Sequence, residues 1–138
     1  MLKTICYISD SKKIETGNNF EDLFEAARAN NIKNNITGIL IYRNSNFLQV
    51  LEGEQTMVDS TFKRIRLDVR HHNLFKIIDT TIEQRFFQDY NCGFTVINDS
   101  QTMHKLKDYL EWLKSSDDIK AKKIISIVEN FIIYSSKT

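Results

Sequence analysis

Apolar and polar positions divide residues 2–9 into two faces, with Ile5, Tyr7 and Ser9 on one and Thr4, Cys6 and Ile8 on the other. Both faces are largely apolar, which predicts a strand covered on two sides. The polar stretch 10–18 predicts a loop, with Asn18 or Asn19 capping the helix that follows. Phe20, Leu23, Phe24 and Ala27 recur there at spacings of three and four. Asn34-Asn35 is turn chemistry, residues 36–42 read as a strand, and residues 43–46 as a short hairpin connection into another. A second helix is expected over 54–68, with Val58, Phe62, Ile65 and Val69 inward, and further strands over 74–82 and 91–98.

Strand, helix, strand, strand, helix, strand, strand is the order of an α+β fold. It predicts a ferredoxin-like sandwich, βαββαβ plus a fifth strand, with two helices over one face of a mostly antiparallel sheet. From Asp99 the pattern turns wholly helical. Met103, Leu106, Leu110 and Leu113 form one stripe, and Ser115 or Ser116 caps a last helix carrying Ile124, Ile125, Ile127, Val128, Phe131, Ile132 and Ile133. This C-terminal helical pair is expected on the other sheet face, with apolar breadth left over for a homo-oligomer. Residues 1–98 thus read as a domain and 99–138 as a helical extension.

One position breaks the apolar pattern. In Phe47-Leu48-Gln49-Val50-Leu51-Glu52-Gly53, alternation puts Gln49 on the face of Phe47 and Leu51. A buried amide left without partners costs about 1–3 kcal/mol, so something polar must meet it: a side chain, a water or a ligand. In the predicted fold the first and third strands are neighbours, so Tyr7 and Gln49 meet beneath the two helices. Asn30 and Asn31, at the end of the first helix, and the i,i+4 pair Arg64 and Asp68 on the second approach the same space. Such a place would be a ligand pocket with apolar walls and convergent polar groups. The plainer readings stay open here: a core tyrosine bonded to backbone, asparagines ending a helix, and a solvated ion pair.

Composition narrows the function classes. The 138 residues are 41% hydrophobic and 27% charged, enough for one domain with a real core. A formal charge of +1 argues against nucleic acid or a polybasic membrane contact as partner. No apolar run reaches membrane-spanning length, and no signal peptide is evident, so a cytoplasmic setting is expected. Cys6 and Cys92 fall into no metal or redox spacing, and His71-His72 lacks further ligands, so no metal is expected. No nucleophile-and-base arrangement, paired carboxylates or phosphate loop is present, and the chain is not expected to be an enzyme.

Five segments stand in order over residues 2–96: Ile5-Cys6-Tyr7-Ile8-Ser9, Ala27-Arg28-Ala29-Asn30-Asn31, Ile36-Thr37-Gly38-Ile39-Leu40-Ile41-Tyr42, Phe47-Leu48-Gln49-Val50-Leu51-Glu52-Gly53, and Asp68-Val69-Arg70-His71-His72. In sequence and spacing they resemble the BLUF domain, a blue-light receptor module that uses flavin. The resemblance implies FAD held non-covalently between the two helices. It implies that Tyr7 gives an electron and proton to the excited flavin and that Gln49 bonds the flavin edge and Tyr7, then rotates or tautomerises. Asn31, with Asn30 nearby, would contact the carbonyl and N3 edge. Arg64, Asp68, Arg70 and His71 are candidates around the far edge and ribityl chain.

Three positions depart from the family pattern, one of them Asn35, which stands where the family usually has a glycine before Ile-Thr-Gly. Family members usually carry a tryptophan and a methionine near the fifth strand, where this chain has Tyr90 and Cys92. These two are the candidate signal relay, passing a change at Gln49 to the tail. The expected function is therefore a blue-light photoreceptor acting through an unidentified partner protein. The rivals are a flavin-free regulatory or protein-interaction domain of the same fold, and a small ferredoxin-like enzyme.

Overall fold

The computed structural model describes residues 1–11, 21–69, 71–90 and 93–135. Within them the chain runs β1 (Leu2–Ser11), α1 (Glu21–Lys33), β2 (Thr37–Arg43), β3 (Asn46–Glu54), α2 (Gln55–Leu67), β4 (His71–Ile82), β5 (Phe94–Ile97), α3 (Ser100–Leu113) and α4 (Ile119–Ser135). The expected caps Asn18 and Asn19, and Phe20, lie outside the described residues.

The five strands form one sheet in the order β4-β1-β3-β2-β5. The first four pair antiparallel, in the arrangement expected of the ferredoxin-like sandwich, while β5 adds to β2 in parallel. The β2–β3 hairpin turns through Asn44 and Ser45, both at positive φ, which suits the right-handed twist of its strands. Asn35 also takes a left-handed conformation, φ 54°, where asparagine is tolerated. Gly38 is required sterically: at φ 146° a Cβ there would stand 1.9 Å from the Val50 carbonyl oxygen.

Alternation along the strands builds two unlike faces. On one, Ile5, Tyr7, Ile36, Leu51, Val58 and Phe62 cluster under α2, while Leu23, Phe24, Leu40, Phe47, Phe94 and Val96 cluster under α1. On the other, Cys6, Ile39, Ile41, Leu48, Val50 and Ile97 merge with Leu106, Leu110, Ile124 and Val128 into one continuous core beneath α3 and α4. The C-terminal helical pair therefore covers the second face, as its apolar stripes predict. The Asn44 side-chain amide ties the far end of α4 to the hairpin by donating to the Ser135 carbonyl.

Three local expectations are corrected. Val69 is three-quarters exposed, because α2 stops at Leu67 and Asp68 is already extended. The cap of α4 is Asp118, whose carboxylate accepts from the Lys120 and Ala121 backbone N–H groups at 2.8 and 3.2 Å, so Ser115 and Ser116 stand too early. β5 begins at Phe94, leaving Tyr90 in the irregular segment before the strand. Among the described residues no helix is long and apolar enough to cross a membrane.

Candidate functional site

Tyr7 and Gln49 are direct cross-strand partners in the β1–β3 register, so strand pairing alone brings their side chains together. Both are buried, and Gln49 Nε2 donates to the Tyr7 hydroxyl oxygen at 2.5 Å. The Tyr7 ring packs against Phe62 of α2 with centroids 5.7 Å apart. Burial pushes the Tyr7 phenol well above the ordinary tyrosine range. The Gln49 bond works the other way, while Cys6 and Asp68 add to the rise. The phenol is thus held neutral.

Above this pair, the gap between the α1-side and α2-side clusters is a cavity of about 350 Å³. Its walls are Leu23, Ala27, Leu40, Ile65 and Leu67, and its polar groups are Tyr7, Gln49, Asn30, Asn31, Thr61, Arg64 and Asp68. A volume of this order suits the ring system of a small-molecule cofactor.

The asparagines at the end of α1 are organised across the helix gap. Asn30 Nδ2 donates to Asn31 Oδ1 at 3.2 Å and to Thr61 Oγ1 of α2 at 3.3 Å. Asn30 Oδ1 accepts from Asn34 at 3.0 Å and from the Arg64 guanidinium. Asn30 therefore positions its neighbours, and Asn31 is the one committed inward, at 1% exposure. Two buried atoms are left without a hydrogen-bond partner at this cavity: the donor Asn31 Nδ2 and the acceptor Gln49 Oε1. Leaving both unpaired costs more than a few tenths of a kcal/mol each, and a ligand edge carrying one acceptor and one donor removes the cost.

The structure brings Tyr7, Gln49, Asn30, Asn31, Arg64 and Asp68 together around one space. Arg70, Cys92 and the side chain of His71 lie outside the described residues. Tyr90 does not join the cavity: it is buried on the opposite face, in the core beneath α3 and α4. Its ring centroid is 4.5 Å from that of Tyr109 and 6.5 Å from that of Phe87.

Thr61 was missed as a site residue, though its place beside the Val58–Phe62 stripe was visible. Glu52 was missed as well. It follows Leu48 and Val50 on the α3/α4 face, an acid at an apolar position, and that break was the available signal. Its buried carboxylate accepts from Thr37 Oγ1 at 2.7 Å, Phe86 N–H at 2.8 Å and Phe87 N–H at 2.7 Å. Burial raises its pKa, against the pull of these bonds and of Arg85.

Fold and cavity define a ligand-holding α+β sandwich with a donor–acceptor edge at the sheet. Comparison with known proteins names the family. Residues 2–93 match the family model of BLUF, "Sensors of blue-light using FAD", and the chain belongs to that family. It is 32% identical over 78 residues to the Blue light- and temperature-regulated antirepressor BluF of Escherichia coli (strain K12), covering 56% of this chain and 19% of the relative. It is 33% identical over 86 residues to the Photoactivated adenylate cyclase subunit alpha of Euglena gracilis, covering 62% of this chain and 8% of the relative. The match therefore spans less than a fifth of either relative. The dark-state structure of BlrB, a BLUF protein, shares the fold, with a TM-score of 0.68 at 24% identity over 92% of this chain and 94% of that one. The chromophore of the family is FAD.

Proposed function

We propose that this chain is a blue-light photoreceptor module in which Tyr7 and Gln49 carry the primary response and a partner carries the output. The observation that supports it best is the pair of unpartnered buried atoms, Asn31 Nδ2 and Gln49 Oε1, beside a phenol already bonded to Gln49. The pyrimidine edge of a flavin offers carbonyl acceptors and a ring N–H, so the residues present fit the group. When bound, the flavin supplies blue-light absorption and an electron-accepting excited state.

The rest is done by side chains of this chain. Asn31 offers an N–H to a carbonyl, and Asn30, braced by Thr61 and Arg64, holds Asn31 in place. Leu23, Ala27, Leu40 and Ile65 enclose the ring position and exclude water. Tyr7 holds its proton in the dark because burial disfavours the phenolate, so proton loss waits on loss of an electron. Gln49 is both donor and acceptor, and half a turn of its amide exchanges which of the two faces Tyr7 and which faces the cavity. That reversal is a small change that must bias a larger element to become a signal.

The relatives differ in activity, one an antirepressor and the other a cyclase subunit, which supports a sensor role whose output lies outside residues 2–93. In this reading residues 1–98 hold the flavin, and residues 99–138 display the state to a partner or to a second copy. Ile133 and Tyr134, both at least half exposed on α4, favour that surface.

The experiment is the absorption spectrum of FAD-loaded protein before and after blue illumination, for the wild type and Tyr7→Phe. The wild type should show a reversible red shift, and Tyr7→Phe should keep its flavin but lose that shift. A normal photocycle in the variant refutes the donor role, and protein that stays colourless with added FAD refutes the whole reading.

A further inference from the structure

We infer that Glu52 is a positioning residue, through which displacement of β3 beside Gln49 is passed across the sheet to α3. The inference rests on the photoreceptor reading above and adds a route to it.

Gln49 and Glu52 lie three residues apart on β3, so strand alternation turns them to opposite faces. Gln49 looks into the cavity. Glu52 looks toward the tail, where its two carboxylate oxygens take three short hydrogen bonds from groups on two different elements. Thr37 opens β2 and is paired in register with Glu52, so that bond stays within the sheet. The other two donors, the Phe86 and Phe87 N–H groups, belong to the irregular segment between β4 and β5. Arg85 of the same segment donates to the Glu52 carbonyl oxygen at 3.3 Å and to Thr37 Oγ1 at 3.1 Å. Three hydrogen bonds of 2.7–2.8 Å to one side chain tie β2 and the segment to it, so this grip follows β3 closely.

The segment is held on its other side by the tail. The Tyr109 hydroxyl of α3 donates to the Phe86 carbonyl at 2.5 Å. Phe86 is therefore bonded through its N–H to the sheet and through its C=O to α3. The Tyr109 ring packs in turn on Phe87, Tyr90 and Trp112, the sole tryptophan, whose centroid is 5.4 Å away. The chain of contacts is continuous: Gln49, the β3 backbone, the Glu52 carboxylate, Phe86, Tyr109, Trp112. Packed interfaces of this kind shift between discrete arrangements and do not deform smoothly, which lets a small movement of β3 reach a helix.

The test uses the full chain loaded with FAD, in the dark and under blue light. It measures the flavin absorption change, the Trp112 fluorescence change, and amide exchange of the peptide containing Phe86 and Phe87. Glu52→Gln keeps the shape but places an NH2 where an oxygen accepted. It should retain the flavin spectral shift and lose the light-driven changes in exchange and in fluorescence. Tyr109→Phe cuts only the last link: the exchange response should persist while the Trp112 response is lost, and this variant keeps the test open if Glu52→Gln fails to fold. A wild type with a normal spectral shift but no light-driven change at either reporter overturns this inference alone. So does a Glu52→Gln protein with undiminished reporter changes. A wild type with no spectral shift overturns the photoreceptor reading and this inference with it.

Discussion

The two faces of the sheet solve the same burial problem in different ways. Beneath α3 and α4 the core is continuous, and Glu52 is buried there with both carboxylate oxygens hydrogen-bonded, although Thr4 Oγ1 and Tyr90 Oη on the same face are buried without a partner. Beneath α1 and α2 the apolar residues split into two clusters around a cavity, and Gln49 and Asn31 each leave an atom unpaired. One face is a single continuous core, and the other is divided by a cavity that fits a ligand. Functional sites break packing rules locally and rely on the rest of the domain to compensate.

The largest test of this contrast is packing. Leu106→Ala, in the continuous core, should cost about 2–5 kcal/mol because a cavity is created where none exists. Ile65→Ala, on the wall of the existing cavity, should cost only about 1 kcal/mol in flavin-free protein, where little close packing is lost. Urea unfolding of both variants measures the difference, and equal losses would break the contrast.

A smaller effect should appear at the polar residues. Gln49→Met removes a bond to Tyr7 worth about 1 kcal/mol but also an unsatisfied oxygen costing about 1–3 kcal/mol. Flavin-free stability should therefore hold or rise by about 1 kcal/mol. The stabilisation gained on adding FAD, about 2.7 kcal/mol at a hundredfold excess over Kd, should shrink. Thermal unfolding with and without FAD reads both.

A further test is alkaline. Burial pushes the Cys6 thiol from its ordinary 9.0 up to about 12, and burial likewise raises the Tyr7 phenol above 10.0. Both groups are acids kept protonated by the fold, so above pH 9.0 the folded chain binds more protons than the unfolded one. Their contribution is complete below pH 9.0 and is lost as the pH climbs from there toward 12. A titration of unfolding free energy across that window should show the decline, with a weaker slope in Tyr7→Phe.

Much of the architecture was readable along the chain because periodicity is a local property. The two-residue alternation of Ile5, Tyr7, Phe47, Gln49 and Leu51 and the three-and-four spacing in α2 and α3 name their own buried sides. The oddity of Gln49 on an apolar face was legible for the same reason. Boundaries were less so. The end of α2 before Val69 and the capping of α4 by Asp118 depend on where backbone N–H and C=O groups find partners, which several nearby polar residues could have supplied.

What no local pattern contains is the third dimension across the sheet. Strand pairing set Tyr7 against Gln49, and the meeting of α1 with α2 gave Asn30 its bonds to Thr61 and Arg64. The same folding turned Tyr90 away from the cavity and bound Glu52 to a segment more than thirty residues distant. Residue order dictates which side chains each element presents, because backbone geometry repeats within an element. Which of those side chains share a hydrogen bond is settled only when distant elements pack, because directional contacts of about 3 Å exist solely between groups the whole fold has brought together.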